Sequence, residues 1–306
     1  MQAFYSCTFS ETMNLKILFV ALLLLLVGNK GLACDVCGCS MTQLFWGLQS
    51  GNQNFVGLWW QQQGYRNLAN GEQSMTREQF QVFELRGRYS LHRRVQLLGI
   101  LPYAINQRQS GTLQGIGDAF AMASYAPIDQ SDSLLRVFKH RLSLGLGLKM
   151  PTGEFEQPAS DAIVYPGFQV GTGSWDLLFN LSYTLRWRDM GLNADASWRK
   201  NGYSSADYHF GNRLNAAVNV FRSFPMGRTD VMPSVGVLYD HAHRDVERGY
   251  FRTDTGGEAL FANLGCELYW NRYHVGFNVN LPISEQWNNA LVEAQPRLTA
   301  RMNVFF

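Results

Sequence analysis

The feature that most constrains the fold of this chain is a long, regular alternation of apolar and polar residues. Between Trp175 and Trp187 every second residue is Trp, Leu, Phe or Tyr, and most of the residues between them are polar. Successive side chains of a strand point to opposite faces of its sheet, so a period of two predicts a strand with one apolar face. The pattern resumes at Leu192 after a short turn, which predicts a hairpin.

The same alternation recurs along most of the chain and predicts about twelve strands. They lie at residues 55–63, 79–90, 95–107, 117–126, 140–150, 175–187, 192–199, 211–221, 230–241, 258–270, 273–283 and 295–306. Most are about 10 to 13 residues long, whereas strands of soluble proteins peak near 5 to 6 residues and a tilted membrane strand needs about 9 to 11. A soluble β-sandwich with its polar parity facing water is the alternative. Strand length favours a membrane wall.

The connections between these strands alternate between tight and long. Turns at 91–94, 188–190 and 271–272 are tight, whereas the connections at 64–78, 151–173, 242–257 and 284–292 are long and polar. Outer-membrane barrels have short periplasmic turns and longer external loops. Lipid offers no hydrogen-bond partner to an open sheet edge, so the sheet must close with an even strand number. We therefore predict an all-β fold: a transmembrane antiparallel up-and-down β-barrel of about twelve strands over residues 55–306, located in the bacterial outer membrane with both termini periplasmic.

Composition and chain ends agree with this prediction. The chain of 306 residues is 46% hydrophobic and 16% charged, yet its mean hydropathy is −0.16, so the apolar residues are interleaved with polar ones and a bundle of membrane helices is excluded. The net charge of +2 is too small to predict a nucleic-acid partner. Trp270 and Tyr273 flank one tight turn, where amphipathic rings suit the headgroup level. The final Phe306 resembles the signal read by the outer-membrane insertion machinery.

Residues 1–33 predict a cleaved secretory signal peptide. The apolar run at 17–27 has eleven residues, and a spanning helix needs about 20. Lys16 precedes the run, and the small residues Gly31 and Ala33 follow it as a cleavage site. Met13 begins a more conventional signal than Met1, so translation starting at Met13 is an alternative.

Residues 34–54 contain a cysteine cluster that leaves three fates open. Cys34, Cys37 and Cys39 lie within six residues. An oxidising periplasm favours a disulfide from Cys34 to Cys37 or Cys39. Gly31 to Cys34 partly resembles a lipoprotein cleavage box, which would give an acyl anchor, and three thiolates could instead hold zinc or Cu(I). Three thiols cannot all pair internally. We predict a periplasmic tether or partial plug that offers a site for a periplasmic partner.

The polar parity of the strands lists the residues expected inside the barrel. Twelve strands should leave a narrower lumen than the open channel of sixteen-stranded porins. The small inward residues Ser143, Gly145 and Gly147 predict space beside one wall. The charged residues predicted to line the lumen carry both signs and are Glu84, Arg86, Arg88, Asp176, Arg186, Asp195, Arg199, Glu267, His274, Arg297 and Arg301.

Motifs of enzymes were sought and not found. The sequence has no G-x-S-x-G elbow, no H-E-x-x-H helix and no G-x-x-x-x-G-K-[ST] loop. We predict no catalytic residues, no cofactor and no enzymatic activity.

Three glycine-containing segments in the middle of the chain carry a family resemblance. They cover about 60 residues and are Gly115-Ile-Gly-Asp118 with Tyr125 following, Leu146-Gly-Leu-Lys-Met-Pro-Thr-Gly153, and Gln169-Val-Gly-Thr-Gly-Ser-Trp-Asp176. In this order they resemble the outer-membrane transporter family named for the MetA pathway of phenol degradation. The resemblance implies an exported barrel that passes small molecules, aromatic ones included. The same glycines and Pro151 also suit strand ends and turns, so a purely structural role is the other interpretation.

Together these features predict a function. The main interpretation is a narrow, selective outer-membrane channel or transporter for small molecules, hydrophobic or aromatic ones among them, whose partners are outer-membrane lipid and the solute. The alternative is a structural or partner-binding barrel with a closed lumen, linked to a metal through Cys34, Cys37 and Cys39.

Overall fold

A computed structural model describes residues 53–67, 76–108, 111–131, 133, 136–155, 166–290 and 292–306. These residues form one large antiparallel sheet of twelve strands. In chain order the strands are β1 (Phe55–Asn67), β2 (Thr76–His92), β3 (Val95–Arg108), β4 (two segments, Gly111–Ile116 and Phe120–Asp129), β5 (Phe138–Lys149), β6 (Asp176–Trp187), β7 (Met190–Lys200), β8 (Arg213–Arg222, continued by Phe224–Met226), β9 (Thr229–Ala242), β10 (Gly257–Trp270), β11 (Tyr273–Trp287) and β12 (two segments, Val292–Ala294 and Arg297–Phe305).

The sheet closes on itself, because the first strand pairs with the last. Phe55 of β1 lies opposite Phe305 of β12, and Trp59 lies opposite Arg301. Every other strand is hydrogen-bonded to its neighbours in the chain. Closure leaves no unpaired edge, which is what a sheet in lipid requires. The prediction of a twelve-stranded antiparallel barrel is confirmed.

The two ends of the barrel differ. The end that holds Phe55 and Phe305, called the terminal end below, has tight turns such as Arg93–Arg94 and Asn271–Arg272. The opposite end, called the loop end, has the long connections at 150–175, 201–212 and 243–256. Two of these connections meet in a small sheet formed by Tyr208–His209, Val246–Glu247 and Tyr250–Phe251. No helix within the described ranges is long and apolar enough to span a membrane.

The barrel has an apolar outer face, and its interior combines buried charged and amide side chains with two apolar clusters. Leu58 is 59% exposed and Leu146 is 55% exposed, and both belong to a belt of large apolar side chains on the outer face. The inner face instead buries charged and amide side chains such as Glu84, Arg86 and Asn278. An apolar outer belt is stable only against lipid, so the wall is a membrane wall.

Several strand bounds differ from those predicted. The connection expected at 64–78 spans only 68–75, since β1 continues to Asn67 and β2 begins at Thr76, and β11 likewise continues to Trp287. The strand expected at 117–126 begins earlier, at Gly111, and is interrupted between Ile116 and Phe120. Beyond the apolar belt the outward residues become polar, as at Gln62 and Arg66 of β1, whereas the inward Tyr65 joins an apolar cluster. Backbone pairing therefore continues where the apolar outward parity has already ended.

A substitution series on β6 tests the outward face. Leu181 is 44% exposed at the middle of β6, and Leu177 is 43% exposed near its end. We expect Leu181→Arg to lower the free energy of unfolding by about 2 to 4 kcal/mol, and Leu177→Arg by only about 0 to 1, because the cost of a lipid-facing arginine is greatest at the bilayer midplane. Reversible unfolding in lipid vesicles measures both. Equal costs at the two depths would contradict the assignment of this face to lipid.

Candidate functional site

The structure places the eleven charged residues singled out from the sequence on the inner face of the sheet. Arg186 and Arg199 are half-buried, and the other nine are buried. They do not form one site. Most belong to two groups of paired charges, one near the terminal end and one at the loop end, and an empty volume lies under the second group.

The group near the terminal end, called the inner charge cluster below, comprises Trp59, Glu84, Arg86, Glu267, His274 and Arg301. The Arg301 guanidinium makes a salt bridge to the Glu267 carboxylate, and neither side chain is exposed. His274 Nε2 lies 2.6 Å from Glu267 Oε2. Both Glu267 oxygens are therefore engaged by cationic or polar partners across three strands, which is what a buried carboxylate needs.

Trp59 joins this pair to a second one. Arg86 Nε donates to Glu84 Oε2 over 2.7 Å, and the Arg86 guanidinium stacks 3.8 Å from the centroid of the Trp59 ring. The Arg301 guanidinium lies 5.1 Å from the same centroid. Guanidinium groups are attracted to the face of an indole ring. The inner charge cluster thus ties together β1, β2, β10, β11 and β12, which are neighbouring strands of the barrel.

The inner charge cluster generates a stability prediction. Glu267→Gln leaves Arg301 buried without its carboxylate, so we expect the free energy of unfolding to fall by about 3 to 5 kcal/mol. The matched control is Glu293→Gln, whose carboxylate pairs with Arg66 where both side chains are partly exposed, and we expect a loss of about 0 to 1 kcal/mol there. Unfolding in lipid measures both variants. A Glu267→Gln barrel as stable as the control would mean that the cluster does not hold the strands.

The group at the loop end is built around Lys149, the last residue of β5. Its ammonium lies 3.0 Å from Asp118 Oδ2 and 2.6 Å from Asp176 Oδ2, and all three side chains are buried. Asp118 also accepts hydrogen bonds from the Thr172 N–H at 2.9 Å and from the Gly153 N–H at 3.1 Å. We call Asp118, Lys149, Thr172 and Asp176 the loop clamp, because these contacts fasten the 150–175 connection to β4, β5 and β6.

The loop clamp brings together the three glycine-containing segments identified in the sequence. Asp118 comes from the first, Lys149 and Gly153 from the second, and Thr172 and Asp176 from the third. The backbones of the second and third segments touch, since a Cβ added at Gly171 would lie 2.6 Å from the Gly153 carbonyl carbon. Glycine is required where two backbones approach this closely.

The connection fastened by the loop clamp folds into the mouth of the barrel. Phe168 sits in a 3-10 turn at Pro166–Phe168 and is 3% exposed. Its ring packs edge-on against Phe80 of β2, with ring centroids 6.1 Å apart. Asn106 Nδ2 donates to the Phe168 carbonyl oxygen over 2.8 Å. The described second half of the connection, from residue 166, therefore folds inward and narrows the loop end.

An internal cavity lies under the inward-folded connection. Its empty volume is about 880 Å³, which includes the space at its mouth that is open to solvent. Its two walls differ in chemistry. One wall, from β2, β3 and β4, is mainly apolar and presents Phe80, Val82, Ile100, Pro102, Ala104 and Phe120. The other wall is charged and presents Asp118, Lys149, Asp176, Arg199 and Arg213. Such a cavity suits a small amphipathic molecule.

The space expected beside Gly145 and Gly147 is not there. A Cβ added at Gly145 would lie 2.8 Å from Met122 Sδ, and one added at Gly147 would lie 2.4 Å from Phe120 Cζ. The space beside these glycines is occupied by large side chains from the neighbouring strand β4, so the expectation was wrong.

Sequence reasoning also missed Lys149, although its inward parity on β5 was a usable signal.

The cysteine prediction lies outside the described residues. The structure does not describe residues 34–52, which include Cys34, Cys37 and Cys39. Their disulfide, acylation or metal binding therefore stays a prediction, as does the role of the segment 34–54. Within the ranges that the structure describes, no group of three or more His, Cys, Asp or Glu side chains is placed to hold a metal ion.

The sequence matches no family model and no curated protein. Among solved structures, the chain is similar to an outer membrane channel from Pseudomonas putida, with 14% identity and a TM-score of 0.65 over 83% of this chain and 96% of that one. It also matches the translocator domain of the autotransporter NalP from Neisseria meningitidis (12% identity, TM-score 0.40, 84% and 90% covered) and the β domain of the Bordetella autotransporter BrkA (10%, 0.48, 83% and 100%). The first similarity confirms the fold of a bacterial outer-membrane β-barrel.

The loop clamp generates a further prediction. Asp118→Ala removes a buried carboxylate that accepts from Lys149, Thr172 and Gly153. Hydrogen bonds to a charged group are worth about 1.5 to 3 kcal/mol, so we expect chymotrypsin to cleave at Phe168 at least about tenfold faster in the folded barrel. The control is Asp189→Ala, which removes a partly exposed turn carboxylate paired with Arg222, and cleavage at Phe168 should then be unchanged. Equal cleavage rates in the two variants would argue against a clamp.

Proposed function

We propose that this protein is a narrow, selective outer-membrane channel for small molecules, hydrophobic or aromatic ones among them. The observation that carries the proposal is the amphipathic cavity enclosed by the barrel wall beneath the inward-folded connection. A closed barrel needs side chains to fill its interior, yet this one leaves a cavity that is lined by apolar side chains and by a few polar and charged ones, as small-molecule sites are. A solute that passes through the barrel would bind in this cavity on its path.

Two further observations support the proposal. The structure with which the chain shares its fold at a TM-score of 0.65 is itself an outer membrane channel. The three motifs that resemble the transporter family of the MetA pathway meet in the loop clamp, at the entrance to the cavity. We propose on this ground that the chain belongs to that family, and that its motifs hold the entrance loop in place.

The arrangement of charges favours a selective path over a general pore. The loop clamp and the apolar cluster around Phe168 narrow the loop end. The inner charge cluster and an apolar cluster that includes Phe55 and Phe305 occupy the interior nearer the terminal end. We propose that the eleven inner charged residues line or close this path, with Asp176 and Arg199 at the cavity and Glu267, His274 and Arg301 at the filled level. Passage then requires side chains of that level to move. The charge pairs of the loop clamp and of the inner charge cluster suit a transport path, and we propose no enzymatic role.

Solute uptake by liposomes that carry the refolded barrel tests the function. We expect uptake above that of empty liposomes for small aromatic solutes, and slow uptake of sugars and ions of similar size. Phe168→Ala should raise uptake of all of them several-fold, because it removes the ring that fills the mouth. The control Phe251→Ala removes a ring that is 73% exposed in another loop and should leave uptake unchanged.

The same assay separates the alternative. A wild-type barrel and a folded Phe168→Ala barrel that both admit no solute above the empty-liposome rate would contradict the channel and favour a closed, partner-binding barrel. Uptake that follows size alone, with sugars as fast as aromatic solutes, would contradict selectivity.

A further inference from the structure

Every connection at the terminal end has an exposed arginine in it or beside it. These connections join β2 to β3, β4 to β5, β6 to β7, β8 to β9 and β10 to β11. In chain order their exposed arginines are Arg93, Arg94, Arg136, Arg188, Arg222, Arg228 and Arg272. Because consecutive strands are neighbours in the barrel, the connections follow one another around its circumference. We call these arginines the arginine rim.

The carboxylates at this end do not neutralise the arginine rim. Those in the described strand ends and turns are Asp129, Asp189 and Asp230. Asp129 pairs with Arg141, which is not part of the rim, and Asp230 accepts a hydrogen bond from the Ser223 hydroxyl. Asp189 pairs with Arg222 over 2.6 Å and interacts with Arg188 at longer range. Within the part of the chain that the structure describes, no salt bridge is formed by Arg94, Arg136, Arg188, Arg228 or Arg272.

The loop end has no comparable excess of one charge. Its exposed charged residues carry both signs and include Glu154, Asp207, Glu258, Lys200, Arg244 and Arg248. The net charge of the chain is only +2, so the excess of positive charge at the terminal end comes from where the residues are placed and not from composition. The surface charge therefore distinguishes the two ends of the barrel.

The arginine rim lies directly beside the apolar outer face. Three of its guanidinium groups lie over aromatic rings, and the distances to the ring centroids are 5.5 Å for Arg188 over Trp187, 5.0 Å for Arg222 over Phe224 and 5.4 Å for Arg272 over Tyr273. All three aromatic side chains are exposed. Aromatic side chains at the ends of a membrane wall lie at the headgroup level, and a long arginine side chain keeps its charge in the polar layer while its stem covers apolar surface. The guanidinium groups are therefore placed where lipid phosphates lie.

We propose that the arginine rim binds the phosphate groups of anionic phospholipids in the adjoining leaflet. A guanidinium group donates two parallel hydrogen bonds to a phosphate, whereas an ammonium group acts as a point charge, and every exposed Lys or Arg that the structure describes at this rim is an arginine. A lipid surface fits the rim better than an acidic protein does, because the arginines are spread around the circumference and three of them stack on exposed aromatic rings. This binding fixes the depth and the orientation of the barrel in the membrane. It concerns the outer surface and does not depend on the proposed function.

Spin-labelled phosphatidylglycerol and phosphatidylcholine measure the preference directly. The folded full chain is placed in phosphatidylcholine bilayers at low salt, and the fraction of each labelled lipid that the protein immobilises gives their relative association constant. We expect phosphatidylglycerol to associate about two- to fivefold more strongly, since one arginine beside an anionic headgroup contributes roughly a factor of five and the rim meets only one leaflet. In about 1 M potassium chloride this preference should shrink toward none, because exposed charges are then screened.

Two matched variants each remove three positive charges from exposed side chains. Arg188→Gln, Arg228→Gln and Arg272→Gln combined should lower the preference by roughly half or more, and the same three positions changed to lysine should retain part of what glutamine removes. The control combines Lys200→Gln, Arg244→Gln and Arg248→Gln at the loop end. We expect the control to leave the preference for phosphatidylglycerol unchanged.

Each outcome decides the inference. Equal association of the two lipids with the wild-type protein overturns it and leaves an acidic protein as the partner of the rim. An unchanged preference in the folded terminal-end glutamine variant, or an equal loss in the loop-end control, overturns it as well. If the combined variant does not fold, the single variants Arg228→Gln and Arg272→Gln and the salt dependence of the wild-type protein make the same test, and a preference that none of them lowers overturns the inference.

Discussion

The structure depends on one requirement, that every backbone hydrogen-bonding group within lipid finds a partner in the sheet itself. Pairing of β1 with β12 meets that requirement. The closed sheet that results determines which face of each strand meets lipid. Because a closed sheet has one face toward lipid, that face must be apolar, and the polar residues of every strand collect inside. The interior must therefore pack charged and amide side chains, and it does so beside two clusters of buried apolar side chains.

The charged side chains of the interior are accommodated by pairing between neighbouring strands. The inner charge cluster joins Glu267, His274 and Arg301 near the terminal end, and the loop clamp joins Asp118, Lys149 and Asp176 at the loop end. Each buried charge is costly alone and is tolerated because its partner and several hydrogen bonds are held by neighbouring strands. In the proposed channel such pairs form the barrier to passage, since water or a solute can replace their hydrogen bonds.

The cavity lies beneath the loop clamp. Its apolar wall comes from strands whose inner residues include Phe80 and Phe120, and its charged wall presents Asp118, Lys149, Asp176, Arg199 and Arg213. The apolar wall favours contact with a hydrophobic group, and the charged wall favours a polar group. Only a molecule with both an apolar body and a polar group complements both walls. Selectivity in the proposed channel follows from that division of the lining, with the width of the mouth set separately by Phe168.

The sequence by itself determined the architecture, because alternation in ten or more consecutive residues assigns a face to each side chain and strand length selects a membrane wall. Which inner side chains meet was decided only by the tertiary structure. Asp118, Lys149 and Asp176 are far apart in the sequence, and the space expected at Gly145 and Gly147 is filled by Met122 and Phe120 from the next strand. The strand bounds beyond the apolar belt were likewise missed. The physical reason is that a period of two reports the face of a residue but carries no information on the register between strands or on what reaches it across the lumen.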